Sequence, residues 1–432
     1  MGSIPEDESI REEQIQRLVK QYEAELRKRL KRGMRPLHEI EREADEIGEA
    51  VKESITKDVV DELGSGYEGS RALCSCGIRA RYAGLRARTI ITLHGELVLR
   101  RAYYHCRVCK AGFCPVDRRL AVSSSGVSRL VQELIARFCS YLPFEIATDE
   151  LKAVRGIDVS TTTVQNYAKQ IGERIGHEWD ALLAQLRCGE APVSGYRPKR
   201  LYESMDGVKV HIGGRWRDVK LGVAYLRGGP DNRVTQAVYQ GSTDDSRAFG
   251  PKMLAIGHRL GADCCRDIEL VADGADWIWQ ETGKYQPGCV QVLDFYHLCQ
   301  HLWEAANAWF GPETDEGRQW MKLQKERLLD NSADAVITEV TSWQPRKKAS
   351  KVIKRRLIAY LQTHRHRINY KTLREQHYDI GSGIIEASCK TVVKSRLTRA
   401  GMRWEERGAS TILNLSACWR TTNNNGFFKY TN

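Results

Sequence analysis

An acidic residue interrupts the most strand-like stretch of this chain. In LYESMDGVKV, Leu201, Met205, Val208 and Val210 supply apolar bulk and no proline intervenes, yet Asp206 sits mid-run before Gly207. A carboxylate inside a buried strand is costly unless it is paired, hydrogen-bonded or bound to a metal. IELVADGADW repeats the pattern: Ile268, Leu270 and Val271 run into Asp273, again followed by glycine. A third acid, Glu386 of SGIIEASCK, lies in helix-like text whose far face is basic. Gathered at one sheet, two strand aspartates and one helical glutamate make an acidic pocket for divalent cations.

The order of elements around these acids sets the fold expectation. LYESMDGVKV, DVKLGVAYL and RVTQAVYQG read as three strands that pair as an antiparallel meander. A helix over 246–260, the strand IELVADGA, the short helix ADWIWQETG and the strand CVQVLDFYHL follow. This is the order of a ribonuclease-H-like fold. Asp206 falls near the middle of the first strand, and Asp273 ends the fourth, where open α/β sheets collect their ligands.

The flanking text is of other kinds. Residues 1–69 form a helical arm with Ile15, Leu18, Tyr22, Leu26 and Leu30 at helical spacing. Residues 70–120 carry Cys74-x-Cys76 and, after an intervening hairpin turning at His94-Gly95, Cys106-x-x-Cys109. Two cysteine knuckles joined by a hairpin describe a zinc ribbon, a closed structural site. The first knuckle is one residue short of the usual spacing, and Cys114 is an alternative ligand. Arg100, Arg101, Arg107 and Lys110 around the knuckles suit a DNA-facing module. Residues 121–195 are helical: a helix from Phe144 to Val154, a turn with Gly156 and Asp158, and a helix from Thr161 capped by Ser160 have the layout of a helix-turn-helix. Thr162, Thr163, Gln165 and Asn166 would face base edges.

The core's first part is expected over 196–300, a helical insertion over 301–374, and the core's second part with the tail over 375–432. From Pro345 to Arg374 there are eleven Lys and Arg and no Asp or Glu, read as a phosphate-contacting face. After Gly381-Ser382-Gly383, Glu386, Lys390 and Lys394 lie one helical turn apart, with Arg396 and Arg399 continuing the basic run. Lys390 and Lys394 are read as phosphate contacts in preference to surface pairs. The tail from Thr421 reads as weakly ordered.

Composition agrees with a polyanion partner. The 432 residues carry a formal charge of +12, and a basic protein of this size most often meets nucleic acid. The N-terminus lacks the apolar core of a signal peptide, and no apolar run approaches a membrane span. An intracellular chain with reduced thiols is therefore expected, and its 13 cysteines are read as metal ligands before disulfides.

Taken together, CSCG…RAYYHCRVCKAGFCPVD, SMDGVKV, VADGADWI, LDFYHL and GSGIIEASCKTVVKSRLTRAGMRW resemble the DDE transposases of bacterial insertion sequences, in the Mutator-like group and its ISKra-type subgroup. The resemblance covers about residues 70 to 432. It implies an α/β multidomain transposase in which Asp206, Asp273 and Glu386 are catalytic and hold two Mg²⁺ or Mn²⁺. Asp206 would bridge both ions, and Asp273 and Glu386 would each complete one shell. Asp294 and His297 match the group's Cys/Asp-x-x-His motif. His297 is read equally as a contact to the scissile phosphate or flanking base and as a structural hydrogen bond. The implied partners are double-stranded DNA, as terminal inverted repeats and target, and further copies of the chain in a dimer or larger synaptic assembly. The implied setting is the bacterial cytoplasm, at the nucleoid. A rival expectation is a transposase-derived DNA-binding protein, regulatory or architectural, without catalysis; a nuclease that cuts without joining is a third.

Overall fold

The computed structural model describes residues 16–17, 19–25, 27–28, 36–122, 126–422 and 427–431. Of the apolar series expected in the N-terminal arm, Ile15, Leu18, Leu26 and Leu30 lie outside the described residues, and Tyr22 is helical. The chain divides into two compact units, Met1–Val131 with Lys152–Ile157, and Gln132–Leu151 with Asp158–Thr431.

The first unit holds helix α1 (Leu37–Glu62) and a four-stranded antiparallel sheet in the order β1 (Arg71–Leu73), β2 (Arg79–Thr92), β3 (Gly95–His105), β4 (Gly112–Phe113). Helix α2 (Pro115–Arg119) follows. The hairpin turns at Leu93-His94, Thr92 pairing with Gly95. Its first strand, β2, is 14 residues long. Ala72, Ala80, Ala102 and Tyr104 form the small core, with Tyr82 and Phe113 packed against it.

Helices α3 (Arg129–Cys139) and α4 (Phe144–Arg155) lead to α5 (Thr161–Cys188). Ser160 caps α5 as expected, its Oγ accepting from the Thr163 amide at 3.1 Å. Gly156 turns the link with a positive φ of 64°.

The second unit is built on a mixed sheet in which β7 (Arg233–Ser242), β6 (Arg215–Gly228), β5 (Arg200–Ile212), β8 (Asp267–Ala272) and β9 (Val290–Leu293) lie side by side in that order. β5, β6 and β7 pair antiparallel, and β5, β8 and β9 run parallel. Helix α6 (Ser246–His258) precedes β8, and α7 (Asp276–Tyr285) connects β8 to β9, as the sequence order requires. Strand text here is nearly continuous in buried residues: in β6 Val219 to Tyr225 is buried throughout, the pattern of a sheet covered on both faces.

Four long helices follow β9: α8 (Phe295–Phe310), α9 (Asp315–Leu329), α10 (Ala333–Ser342) and α11 (Lys348–Thr363). They pack around Trp309, Trp320 and Trp343, whose rings lie 4.7 Å (Trp309–Trp343) and 5.0 Å (Trp320–Trp343) apart. The short α12 (Tyr370–Glu375) returns the chain to the sheet, then come α13 (Gly383–Ser388), a π-helical turn over Cys389–Lys394, α14 (Ser395–Leu397) and α15 (Glu406–Arg420). The tail does not behave as expected. Phe427 is fully buried, its ring 6.0 Å from Trp419, and the Tyr430 carbonyl accepts from Arg174 at 2.6 Å. Among the described residues no helix is long and apolar enough to cross a membrane.

Candidate metal centre and acidic site

The cysteine cluster is the more completely assembled of the two candidate sites. One thiol from each of Cys74, Cys76, Cys106 and Cys109 lies within 4.8 Å of all the others, with Cys74–Cys109 at 3.5 Å and Cys76–Cys106 at 3.7 Å. A tetrahedron with zinc–sulfur bonds of about 2.3 Å has edges of about 3.8 Å, so the sulfurs fit zinc. Both turns end on a left-handed residue, Gly77 (φ 83°) and Lys110 (φ 61°). Gly77 N donates to the Cys74 carbonyl at 3.0 Å and Cys106 N to the Ala111 carbonyl at 2.9 Å. The short Cys-x-Cys turn thus suffices. The Cys76 amide holds the Cys74 thiol down to about 6, and the Cys109 amide lowers Cys106. At Cys109 the Ala111 amide is outweighed by the neighbouring thiols, which leave it at about 12. Such a set readily gives up protons to a cation. Cys114 is not a ligand: it stands outside the cluster, buried at the start of α2, and burial raises its thiol.

The acidic site lies on one face of the mixed sheet. Tyr202 is level with Glu269 on the parallel pair β5–β8. Asp206 follows four residues later within β5 and Asp273 four residues later, one past the end of β8, so the two acids come level with each other beyond the paired stretch. Burial pushes the Asp206 carboxyl above its ordinary value; the Gly207 amide and the Cys389 thiol pull it back, and the charges of Asp273 and Glu386 raise it again. Asp206 Oδ1 accepts from Gly207 N at 2.6 Å, and Oδ2 is 3.3 Å from Cys389 Sγ. Asp273 Oδ1 accepts from Ala275 N at 2.9 Å. Glu386 is exposed on α13. The three acids are electrostatic neighbours, yet among the described residues only the four thiols form a group of three or more ligand atoms within 4.8 Å. The carboxylates are hard oxygen donors suited to Mg²⁺ or Mn²⁺, held in a more open arrangement.

Asp294 is part of the scaffold around the acids. Asp294 is buried and caps α8, accepting from His297 N at 2.8 Å. Its other oxygen accepts from Ser382 N at 2.6 Å and from the Ser382 hydroxyl. Asp294 therefore fixes the residue from which α13, and hence Glu386, departs. The half-buried His297 ring lies 5.2 Å from His301, which lies 4.4 Å from Tyr360. Burial, and then His297, lowers His301. Tyr360 leans on the turn after Asp273: a Cβ at Gly274 would meet its ring at 2.2 Å. A cavity of about 420 Å³ opens there, lined by Gly274, Asp276, His301, Arg356, Tyr360 and His364.

The residues expected to meet DNA separate into two groups. Thr162, Asn166, Lys390, Lys394 and Arg399 are exposed, and Thr163 and Gln165 are partly so. Arg399 nevertheless donates to the Ser395 and Tyr141 carbonyls, at 2.7 and 2.8 Å. Arg396 corrects the expectation of a DNA contact. It is 1% exposed, donates to the Cys139 carbonyl at 2.9 Å, and lies over the Phe144 and Trp404 rings. The π turn also breaks the even spacing expected from Glu386 to Lys394, because its wider turn shifts the facing positions. In the basic run, Lys354 caps α10 through the Thr341 and Trp343 carbonyls, Arg367 lies on Trp279 and Lys371 pairs with Asp330. Arg346, Lys347, Lys348, Lys351, Arg355 and Arg356 stay exposed. Cys389, Tyr360 and His301 were not singled out by sequence; only the thiol in ASCK one turn past Glu386 offered a signal.

No protein-family model matches the chain, and no curated protein matches it in sequence.

Proposed function

We propose that this chain is a DDE transposase with a ribonuclease-H-like core, which binds transposon-end DNA and catalyses metal-dependent cleavage and strand transfer. The observation that carries the reading is the placement of Asp206 within β5 and of Asp273 just past the end of its parallel neighbour β8, with the charges of Asp273 and Glu386 both acting on Asp206. The strand order, central strand first and two parallel neighbours after the meander, supports the same core.

Asp206, Asp273 and Glu386 would hold two Mg²⁺ or Mn²⁺, which when bound lower the cost of charge on the attacking and leaving oxygens of a phosphodiester. Without cations, burial and then the charges of Asp273 and Glu386 favour a proton on Asp206. Cys389 donates to Asp206 in this arrangement and holds the carboxylate rotamer. The exposed lysines and arginines of α11, with Lys390 and Lys394, would track the phosphate backbone. The zinc ribbon and the α4–α5 helix-turn-helix would read the ends, Thr162, Thr163, Gln165 and Asn166 facing bases. Two ends must meet, so a dimer or larger assembly follows.

The test uses a plasmid carrying the genomic DNA that flanks this coding sequence on both sides. With Mg²⁺ or Mn²⁺ the protein is expected to release the bounded segment and join it to a target. Asp206→Asn, Asp273→Asn and Glu386→Gln are each expected to lose at least about 10²–10³-fold in rate, the scale of removing one transition-state-stabilising group. Binding without any cleavage by the unaltered chain would instead support the regulatory or architectural reading.

A further inference from the structure

The segment that delivers Glu386 is tied down at almost every residue. Arg200 on β5 donates to the Gln376 and His377 carbonyls at 3.1 and 2.6 Å. The Tyr378 hydroxyl donates to Asp267 at 2.8 Å. Arg227 on β6 grips Asp379 through Nε at 3.0 Å and Nη2 at 2.6 Å, and the Tyr225 hydroxyl adds a third bond to the same oxygen at 3.2 Å. The Ile380 carbonyl accepts from Phe295 N at 2.8 Å, and Ser382 closes the series on Asp294. Only after Ser382 does α13 begin. By contrast, no hydrogen bond holds the exposed Glu386 side chain itself among those described.

We infer that Arg227 and Asp379 are positioning residues for the acidic site: their ion pair clamps the 376–382 strap to the sheet and so fixes where Glu386 stands. This rests on the function proposed above. The physical need is specific. Asp206 and Asp273 are placed by neighbouring strands, whereas Glu386 arrives from a chain segment separated from β9 by the five helices α8 to α12. Small rotations of the strap would move its carboxylate by ångströms. Two charge-assisted guanidinium bonds and one phenol bond converge on a single Asp379 oxygen, and donors from two strand residues hold it in place. Both partners also act on the buried Glu269, Asp379 raising its carboxyl and Arg227 joining Arg200 in lowering it, so losing Arg227 would remove one of the two cations beside that pair of acids.

The experiment uses the full-length chain and Mn²⁺ alone, titrated by electron paramagnetic resonance, with thermal midpoint and plasmid cleavage measured on the same samples. Arg227→Ala and the isosteric Asp379→Asn are expected to weaken Mn²⁺ binding about tenfold or more, the usual cost of losing a residue that orients a ligand. Cleavage is expected to fall in parallel, while Arg227→Lys, which keeps the charge, recovers part of both. Unchanged Mn²⁺ affinity in Arg227→Ala and Asp379→Asn would overturn the inference. So would an affinity loss that tracks a fall in thermal midpoint and is not recovered by lysine. Glu386→Gln separates the two levels. If it loses the ion while the clamp variants keep it, only the clamp fails; if the unaltered chain binds Mn²⁺ no better than Glu386→Gln, the proposed function fails, and the clamp with it.

Discussion

The cysteine cluster and the acidic site gather ligands in opposite ways. The thiols meet on two tight turns at the end of one hairpin, close enough to share protons, and sit within a cation's shell before any cation arrives. The carboxylates come from the middle of β5, the end of β8 and a helix more than a hundred residues further on. They are neighbours in charge, but among the described residues the three do not gather within 4.8 Å of one another as the thiols do. The four thiols do not all ionise together, Cys74 being held down to about 6 while Cys109 is left at about 12, so the cluster carries less charge than its number suggests and can be compact. Carboxylates are charged at neutral pH and repel. The thiol cluster is therefore closed, and the acidic site is open and held from behind by polar ties.

The sharpest way to break this contrast is metal removal. A strong chelator, or Cys106→Ser, is expected to abolish slow amide exchange across 70–120, since a structural zinc contributes on the order of 10 kcal/mol to a small module. The five-stranded sheet should keep its protection. Equal loss in both units would show that the thiols do more than hold their own hairpin, and no loss would remove zinc from the account. Among smaller effects, Glu269 offers a pH test of the ties behind the acidic site. Burial pushes its carboxyl up to about 9 from an ordinary 4.5, and Asp379 adds to the rise. A proton kept in the folded state and released in the unfolded one makes stability fall as pH rises from about 4.5 to about 9. Glu269→Gln is expected to gain on the unaltered chain over that window, by about 3 kcal/mol between pH 4.5 and 7 at about 1.4 kcal/mol per unit. A difference in melting that does not change with pH would mean Glu269 already has a partner for its charge.

The same contrast explains what could be read in the sequence. The strands β5 to β9 were legible because their apolar runs are long and their order is fixed by the two Asp-Gly signals. The knuckles were legible from cysteine spacing alone. The early part of β2, rich in arginine and alanine, was not: it is paired on both sides by backbone bonds while most of its side chains face water, so it carries little apolar signal. Arg396 was misread because charge in a sequence cannot tell an exposed guanidinium from one covered by Phe144 and Trp404. The π turn and the Arg227–Asp379 clamp depend on contacts between distant segments, for which local patterning has no marker. Phe427 and Tyr430 were passed over because three asparagines precede them, yet both are buried.

The central claim is that the three acids form one cation site. Its most direct measurement is the number of Mn²⁺ ions bound by the full-length chain once the thiol site is filled with zinc. The account predicts Mn²⁺ binding that is abolished or reduced by each of Asp206→Asn, Asp273→Asn and Glu386→Gln, with folding retained in all three. Mn²⁺ binding that is absent, or that survives all three substitutions unchanged, would contradict it.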